Sequence, residues 1–427
     1  MQQQPTKKPG WLRSLFDKFR SSDLDGPDLL LHGAVDNALA QLTAFSQQKS
    51  AMIPGGTGRT ALSCAHNAFG FHLFQMITEQ AQQNVFISPT SIALALSMAY
   101  NGANGQTQTE MAQTLHLREM NREELNKLSA SMMEMHNDGD TEVELSIANS
   151  LWMKDPDRIL PEFQELAQKY FQAELGDLAQ APDAINRWAS QRTRGKINRI
   201  VGKEVTDEDV HAVLMNAIYF RGRWTVPFEP RDTHESTFTL QSGRTRRCKM
   251  MSQRGSYYYL EHPRFQAIRL PYGEQNLSML IFLPSQHTTY SEFLSSLTSE
   301  NWLEWRGAFQ FQEGSLWLPR FHCEYITDLN LPLSNMGMPI AFDQDRADFS
   351  RLSHLFYLGL VRHKAIIDVK EEGTEAAAVT EAGALYGSRS SVSDNRFTMI
   401  VDRPFFCAIV DERTDAILFM GAIAEPD

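Results

Sequence analysis

The sequence lacks an apolar run long enough to cross a membrane. No run of about 18 consecutive apolar residues occurs, and a membrane-spanning helix needs roughly that many. The opening stretch, MQQQPTKKPGWLRSLFDKFR, also lacks the continuous apolar segment followed by small residues that marks a secretory signal. Both absences favour a soluble cytoplasmic protein. Secretion stays open in the case that a signal was removed before the first numbered residue.

Cysteine and clustered positive charge are both scarce. The four cysteines, Cys64, Cys248, Cys323 and Cys407, are far apart and form neither a CxxC pair nor a spacing typical of metal ligands. The formal net charge is -12 and the pI is about 5.5. That charge argues against nucleic-acid binding, because phosphate contacts need clustered Lys and Arg. We expect reduced thiols, and no metal, cofactor or nucleic acid.

Motifs of catalysis are absent as well. The chain contains no GxSxG elbow, HExxH pair, P-loop or dinucleotide fingerprint. The stretch PGGTGRT has no strand before it and no GK[ST] ending, which excludes a phosphate loop. A catalytic triad can be assembled from distant residues, so the absence of a motif does not exclude an enzyme. Nothing in the pattern supports one, and we predict a protein that is not an enzyme.

Residues 1–62 differ from the remainder, 63–427, and we predict an N-terminal extension followed by one folded domain. WLRSLFDKFR places Trp11, Leu15 and Phe19 at helical spacing, with cations on the other side. We favour a helix that docks on its own domain or frays. The alternative is weak contact with a membrane surface or a partner groove. A second helical pattern follows, and then PGGTGRT predicts a flexible linker.

The rest of the chain places helical patterns first and strand patterns later, which indicates an α+β fold. Ser88 is a predicted N-cap, with Pro89 at the first helical position and the helix ending near Gly102. Apolar residues all round this helix predict a central, buried element. The predicted helices are NAFGFHLFQMITEQ, SPTSIALALSMAYNGANG, PEFQELAQKYFQ and DAINRWASQRTRG. The predicted strands are HAVLMNAIYFRGRW, FQAIRLPY, LSMLIFLP, GSLWLPRF, HKAIIDVK, PFFCAIVDE and AILFMGAI.

The stretch EEGTEAAAVTEAGALYGSRSS, residues 371–391, is composed mostly of small residues between two apolar runs. So long a loop in a compact domain is usually functional or disordered. If it became a β-strand, the even positions from Thr374 to Ala384 would carry only Ala and Thr on one face. Glu375 and Glu381 would share the other face. The small face could therefore enter a packed sheet without burying a charge, whereas the alternative is a plain flexible loop.

In these segments and their order, the chain resembles the serpins. The resemblance covers residues from about Asn67 to Pro426 and has no counterpart for residues 1–62. The matching segments are NVFISPTSIALALSMAYNGANGQTQTEM, INRWASQRTRGKINRIV, LMNAIYFRGRWTVPFEPRDTHESTF, LPRFHCEY, VRHKAIIDVKEEGTEAAAVT and DRPFFCAIVDERTDAILFMGAI. It implies a monomeric α+β domain of three β-sheets and about nine helices, with an exposed reactive-centre loop.

The resemblance also implies a function. A target protease attacks the loop as a substrate and forms an acyl-enzyme, and the freed loop then inserts into the large sheet and distorts the enzyme. Inhibitory members resemble this chain at the loop hinge. The hinge residues are Glu371, Glu372, Gly373, Thr374, Glu375, Ala376, Ala377, Ala378 and Val379. The alternative is a non-inhibitory carrier, chaperone-like or storage protein, whose hinge typically carries bulky or charged residues at the inward positions.

Further residues carry roles implied by family position alone. Ser88, Ser91, Asn186 and His363 match the positions that hold the sheet strands together until insertion, and Trp224 matches the aromatic residue where the loop enters.

The seventeenth position counted from Glu371 is Gly387, which places the scissile bond between Gly387 and Ser388. Tyr386 and Arg389 are the alternative cleavage positions. The expected partner is a serine protease of the elastase, subtilisin or chymotrypsin type, with a papain-like cysteine protease as the alternative.

Overall fold

The structure is a computed structural model of the chain. It describes residues 56–426 except residues 80, 82, 118–119, 136–141, 208–209, 355 and 375–395. Side chains are described from residue 61 onward, Met135 excepted. The chain divides into two units, Met1–Phe45 and Ser46–Asp427, and every described residue belongs to the second. The predicted N-terminal amphipathic helix therefore lies outside the described residues.

The described residues form nine α-helices. They are α1 (Gly56–Thr78), α2 (Pro89–Gly102), α3 (Gly105–Thr114), α4 (Arg122–Met135), α5 (Pro161–Phe171), α6 (Asp183–Arg192), α7 (Tyr290–Ser295), α8 (Ser299–Ala308) and α9 (Asn330–Asn335). None of these described helices combines the length and the apolar character that a membrane crossing requires. Because α1 begins at Gly56, residues 56–60 are helical and not the flexible linker expected there. The apolar run that follows stabilises the helix through packing and outweighs the low helix propensity of glycine.

Helix α2 lies at the centre of the domain, as its composition predicts. The Ser88 hydroxyl accepts a hydrogen bond from the Ser91 backbone N–H at 3.2 Å, which confirms the N-cap. All 14 residues of the helix are buried. At its end, a Cβ on Gly102 would lie 2.6 Å from Leu352 Cβ, so only glycine lets the chain pack this closely.

In the described part of the chain, fifteen strands form two hydrogen-bonded sheets. They are β1 (Val85–Ile87), β2 (Val143–Met153), β3 (Glu174–Asp177), β4 (Ala212–Arg223), β5 (His234–Thr239), β6 (Thr245–His262), β7 (Phe265–Tyr272), β8 (Leu277–Pro284), β9 (Gln310–Pro319), β10 (Phe321–Asp328), β11 (Leu360–Lys370), β12 (Gly373–Thr374), β13 (Phe397–Ile400), β14 (Phe405–Asp411) and β15 (Ile417–Ile423). The predicted strand GSLWLPRF is in fact the end of β9 and the start of β10.

The smaller sheet has the order β10-β11-β12-β4-β2-β3, and β11 also pairs directly with β4. One of its faces packs against the main apolar core through Leu214, Ile218 and Phe220 of β4. The other face packs against α6 in a separate cluster that contains Met215 and Ala217. Residues of β4 alternate between the two faces because successive side chains of a strand point to opposite sides.

The larger sheet has nine strands and the order β1-β15-β14-β8-β7-β6-β9-β13, with β5 paired to β6. Strand β6 is 18 residues long. Its first part pairs with β5 and its last part pairs with β7. The long strand therefore joins two of the three expected sheets by continuous hydrogen bonding, within the predicted α+β architecture.

Candidate functional site

Strands β4 and β11 are joined at one end of the smaller sheet and separated at the other. They pair in parallel from Val213 and Leu360 to Ile218 and Ala365. In the described part of the chain, no β4–β11 pair follows Ile218 and Ala365. Beyond that point the short strand β12 lies between them.

Strand β12 is antiparallel to both of its neighbours. Thr374 pairs with Val369 of β11 and with Gly222 of β4. The Thr374 side chain is fully buried, and its hydroxyl lies 2.7 Å from the Tyr272 hydroxyl. The first two residues of the predicted insertion segment, Gly373 and Thr374, thus already form a rung between the two strands.

Gly373 is required by this geometry. Its φ is +149°, a conformation that side chains rarely adopt. A Cβ at this position would lie 2.1 Å from the Gly222 carbonyl oxygen and 2.7 Å from Arg223 Cα. A larger residue would therefore push the hinge out of the sheet or shift β4.

The Glu371 carboxylate anchors the chain just before this rung. The Arg320 guanidinium contacts Glu371 Oε1 through Nη2 at 2.6 Å and through Nε at 2.8 Å. The Thr233 hydroxyl donates to the same oxygen at 2.6 Å. Burial by itself raises the pKa of Glu371, but the hydrogen bonds from Arg320 and Thr233 outweigh it, and the pKa is lowered overall. The carboxylate is therefore charged at neutral pH, and it ties the hinge to Arg320, the residue between β9 and β10.

Three consecutive carbonyls hold the turn from the other side. The Lys370 carbonyl accepts from Trp224 Nε1 at 3.0 Å, and the Glu372 carbonyl accepts from the Trp224 backbone N–H at 3.0 Å. Between them, the Glu371 carbonyl accepts from the Phe228 backbone N–H at 2.9 Å. The Trp224 ring stacks on Tyr272, with centroids 4.3 Å apart. Trp224 therefore contacts the hinge directly.

A buried polar cluster lies where β4 and β11 are still paired. His363 Nδ1 donates to Asn216 Oδ1 at 2.6 Å, and His363 Nε2 accepts from the Ser88 backbone N–H at 3.1 Å. The amide nitrogen of Asn216 donates to Ser91 Oγ at 2.5 Å and to Asn149 Oδ1 at 2.8 Å. Burial lowers the pKa of His363 to about 3, so the imidazole is neutral. The cluster joins α2, β2, β4 and β11.

Asn186 does not belong to this cluster, and its expected location was wrong. It lies on α6, where its side chain binds the backbone of Ile200 and Val201 at 2.8–3.1 Å. Helix α6 packs on the opposite face of the sheet from α2. Asn216 occupies the predicted place. Its signal in the sequence is a lone amide within the apolar strand LMNAIYF.

Sequence analysis also missed four residues that contact the hinge or the polar cluster, because only the tertiary fold brings them there. They are Asn149, Thr233, Tyr272 and Arg320. No residue of hinge positions 375–379, and none of the cleavage positions 386–389, lies among the described residues.

Within the described residues, no group of three or more His, Cys, Asp or Glu side chains is placed to hold a metal ion.

Comparison with known proteins matches most of the chain, from residue 64 onward. The family model Serpin (serine protease inhibitor) matches residues 64–426. Human Serpin B8 is 34% identical over 374 residues, which cover 85% of this chain and 98% of that protein. The leukocyte elastase inhibitor of Sus scrofa is 33% identical over 391 residues, covering 86% of this chain and 99% of the relative. The solved structure of the thermophilic serpin tengpin in its native state superposes with a TM-score of 0.78 at 28% identity, covering 85% of this chain and 94% of that one. The chain belongs to the serpin family.

Proposed function

We propose that this protein inhibits a protease as a suicide substrate, by inserting its cleaved loop between β4 and β11. One observation carries the proposal, namely that Thr374 already pairs antiparallel with both Val369 and Gly222. A strand that continues from Thr374 in this direction forms ladder hydrogen bonds on both of its edges. Each such bond contributes about 1 kcal/mol net, opposed by the entropy of ordering the loop.

The register of the inserted strand follows from the same pairs. Continuing it without a bulge places residue 376 opposite Ile367 and Phe220, and residue 380 opposite His363 and Asn216. Val369, Ile367, Ile218 and Phe220 all belong to the main core. The inward positions are therefore 374, 376, 378 and 380, which carry Thr, Ala, Ala and Thr. These side chains are small and uncharged, so burying them there does not carry the free-energy cost of burying a charge.

Insertion at residue 380 also requires the bond between His363 and Asn216 to break, since the new strand lies between them. We infer that the polar cluster keeps β4 and β11 together until the loop is cut. In this account Ser88, Ser91, Asn216 and His363 control the opening, while Trp224 and Glu371 hold the entry point.

The trapping chemistry is supplied by the protease. Its catalytic serine attacks the Gly387 carbonyl, the bond to Ser388 breaks, and the new amine of Ser388 leaves with a proton. Gly387 remains as the acyl ester. Thirteen residues separate Thr374 from Gly387, so full insertion carries the bound enzyme on the order of 40 Å along the sheet. The chain itself performs no catalysis.

The proposed partner is a serine protease of the elastase, subtilisin or chymotrypsin type, in keeping with the similarity to the leukocyte elastase inhibitor of Sus scrofa. A papain-like protease is the second choice. We further propose that the protein acts as a monomer in the cytoplasm and that residues 1–62 form a separate extension.

The test is incubation with elastase, subtilisin, chymotrypsin, trypsin and papain, followed by a denaturing gel and mass spectrometry of the released C-terminal peptide. We expect a complex that survives denaturation and a peptide that begins at Ser388. A peptide that begins at residue 387 or 390 would move the scissile bond to Tyr386 or Arg389. Cleavage by every protease without a complex would favour the carrier alternative, provided that cleavage leaves the thermal stability unchanged. A large rise in thermal stability without a complex would instead show that the loop inserts but that the target lies outside this panel.

A further inference from the structure

A polar groove lies between α6 and the chain segment that follows it, residues 198–201, which we call segment 198–201. The volume of the groove is about 450 Å³, within the range of sites that bind small molecules. Its walls come from these two elements. Asp183, Asn186, Arg187 and Ser190 line it from α6, and Asn198 and Arg199 line it from the segment. The four α6 residues are spaced by three and four, so they share one face of the helix.

Hydrogen bonds hold segment 198–201 beside α6 and fix its direction. The Asn186 side chain binds the backbone of residues 200–201 at 2.8–3.1 Å. The Ser190 hydroxyl donates to Asn198 Oδ1 at 2.9 Å. Since the earlier residue of the helix contacts the later part of the segment, the segment runs antiparallel to α6. Arg187 of the helix and the arginine at position 199 therefore both stand between these two anchoring contacts.

The two arginines of the groove are available to an anion. Arg187 and Arg199 are exposed, and neither forms an ion pair with any residue that the structure describes. Glu204, a carboxylate close to Arg199 in the chain, already accepts hydrogen bonds from Arg362 at 2.6 Å and from the Gly202 N–H at 2.9 Å. A guanidinium binds phosphate through a planar fork of N–H donors. Two such groups on opposite walls of one groove match the double charge of a phosphate ester.

The other groups of the groove indicate what accompanies the phosphate. Ser190 and Asn198 offer neutral polar groups at one end. At the other end the Asp183 carboxylate stands one helical turn before Arg187. A carboxylate repels a bare anion, whereas it accepts a hydrogen bond from an ammonium or hydroxyl group. The groove therefore matches a small phosphate ester that also carries an amine or a hydroxyl better than it matches inorganic phosphate.

The groove lies over the part of the sheet where the loop would insert. Helix α6 and segment 198–201 pack on the sheet through the apolar cluster that also contains residues of β4 and β11. Lys364 Nζ donates to the Arg199 carbonyl at 2.7 Å, and Arg362 Nη1 donates to the Ile200 carbonyl at 3.3 Å. Both donors are neighbours of His363 on β11. A strand that enters between β4 and β11 at this level must therefore pass beneath the segment.

We propose that this groove binds a small phosphate ester that carries an amine or a hydroxyl. Arg187 and Arg199 hold the phosphate, and Asp183 accepts a hydrogen bond from the amine or hydroxyl. The bound ligand joins both walls and so ties α6 to segment 198–201.

Binding itself does not depend on the loop, but its consequence rests on the proposed function. A ligand that holds the segment in place slows insertion, so more of the protease escapes by deacylation. At about ten times its Kd, a ligand that binds only the arrangement before insertion slows insertion by up to about tenfold.

The first test is calorimetric titration of the whole protein with O-phosphoserine, with serine and inorganic phosphate as comparison ligands. We expect phosphoserine to bind more tightly than inorganic phosphate, and serine not to bind. The double variant Arg187→Gln/Arg199→Gln should bind phosphoserine at least about tenfold more weakly. The matched control is Arg192→Gln/Arg194→Gln, which removes the same charge from exposed ion pairs outside the groove lining. It should bind like the wild type.

A change at the acidic end of the groove gives an independent readout. Asp183→Asn should lose the preference for phosphoserine over inorganic phosphate, while inorganic phosphate binds equally well or more tightly. Failure of the wild type to bind phosphoserine, or equal weakening by the two double variants, would overturn the site. Equal affinity of the wild type for phosphoserine and inorganic phosphate would show that the role given to Asp183 is wrong.

The second test measures the stoichiometry of inhibition with and without phosphoserine, using a protease that forms the complex. The ligand should raise the number of inhibitor molecules consumed per protease for the wild type and for Arg192→Gln/Arg194→Gln. It should have no effect on Arg187→Gln/Arg199→Gln. Binding without this effect would keep the ligand site and reject its control of insertion. A wild type that binds phosphoserine but forms no complex with any protease would overturn the proposed function and leave the site standing.

Discussion

His363 Nδ1 lies 2.6 Å from Asn216 Oδ1, across the parallel pair of β11 and β4. The ring nitrogen on the other side accepts from Ser88, so the proton sits on Nδ1 and the imidazole is neutral. This bond stands at the level that residue 380 would reach in an inserted strand. Under the proposed insertion, the opening of the sheet depends on one titratable group, His363.

Acidification should therefore loosen this end of the sheet. The pKa of His363 is lowered to about 3 in the folded protein and is about 6.5 when unfolded. A depressed pKa means that the stabilisation is complete above pH 6.5 and is lost as the pH falls towards 3. At pH 5 the loss is on the order of 2 kcal/mol. The measurement is the rate at which a synthetic peptide of residues 374–386 anneals to the protein between pH 5 and pH 7.5.

His66 provides the control for that experiment. It is also buried, and burial lowers its pKa to about 3, but it lies on α1. Both histidines should contribute to the loss of thermal stability in acid. Only His363→Gln should remove the pH dependence of peptide annealing, whereas His66→Gln should keep it. Equal behaviour of the two variants would mean that annealing follows global stability and not the bond to Asn216.

Charge at an inward hinge position should convert the inhibitor into a substrate. Ala376→Glu with Ala378→Glu would bury two carboxylates among Ile367, Phe220 and their neighbours, at a cost of several kcal/mol each. Insertion then becomes slower than deacylation. We expect cleavage with the complex reduced at least tenfold on a denaturing gel.

The matched control for the hinge is Ala377→Glu. In the inserted strand, position 377 would face away from the core, on the same side as Glu375 and Glu381. This variant should trap far more protease than the double variant. If the inward and outward variants trap equally, the register derived from Thr374 is wrong.

Removal of the Glu371 carboxylate should release the hinge. Glu371→Gln leaves Arg320 without its partner, and since the Arg320 side chain is 40% exposed, the expected cost is about 1–3 kcal/mol. We expect faster hydrogen exchange at Gly373 and Thr374. Glu372→Gln, next in the chain, should have little effect, and a double-mutant cycle with Arg320→Gln should recover a coupling energy. Additive single effects would show that the ion pair does not hold the hinge.

A methyl group on Gly373 should expel β12. The Cβ of Gly373→Ala would meet the Gly222 carbonyl at 2.1 Å in a backbone conformation that disfavours side chains. We expect slower trapping and a loss of about 1–3 kcal/mol in the stability of the hinge. Gly243→Ala is the control, since φ is +79° there but no atom lies within 4 Å of the added Cβ. Similar trapping by both variants would show that the contact between a Cβ at position 373 and the Gly222 carbonyl does not affect the hinge.

The predictable parts of the fold are those in which the local pattern and the tertiary environment agree. The cap and burial of α2 and the strands β7 and β8 follow from residue type and spacing, because most side chains there are apolar and buried. Strand β6 went unrecognised. Its exposed positions include Arg246, Arg247, Lys249 and Arg254, which obscure the apolar alternation. An exposed sheet face places no constraint on residue type, so the sequence pattern of such a strand is weak.

The sequence by itself determined the α+β class and the alternation of small, uncharged residues at the even positions from Thr374 to Ala384, because these depend on side-chain size and a two-residue period. Only the tertiary structure decided which asparagine bridges β4 and β11. Asn186 and Asn216 are alike as residues, and only Asn216 faces His363 across a strand pair formed by segments 147 positions apart. Contacts of that separation depend on the packing of the whole domain, which is why the local sequence pattern did not reveal the bond between His363 and Asn216.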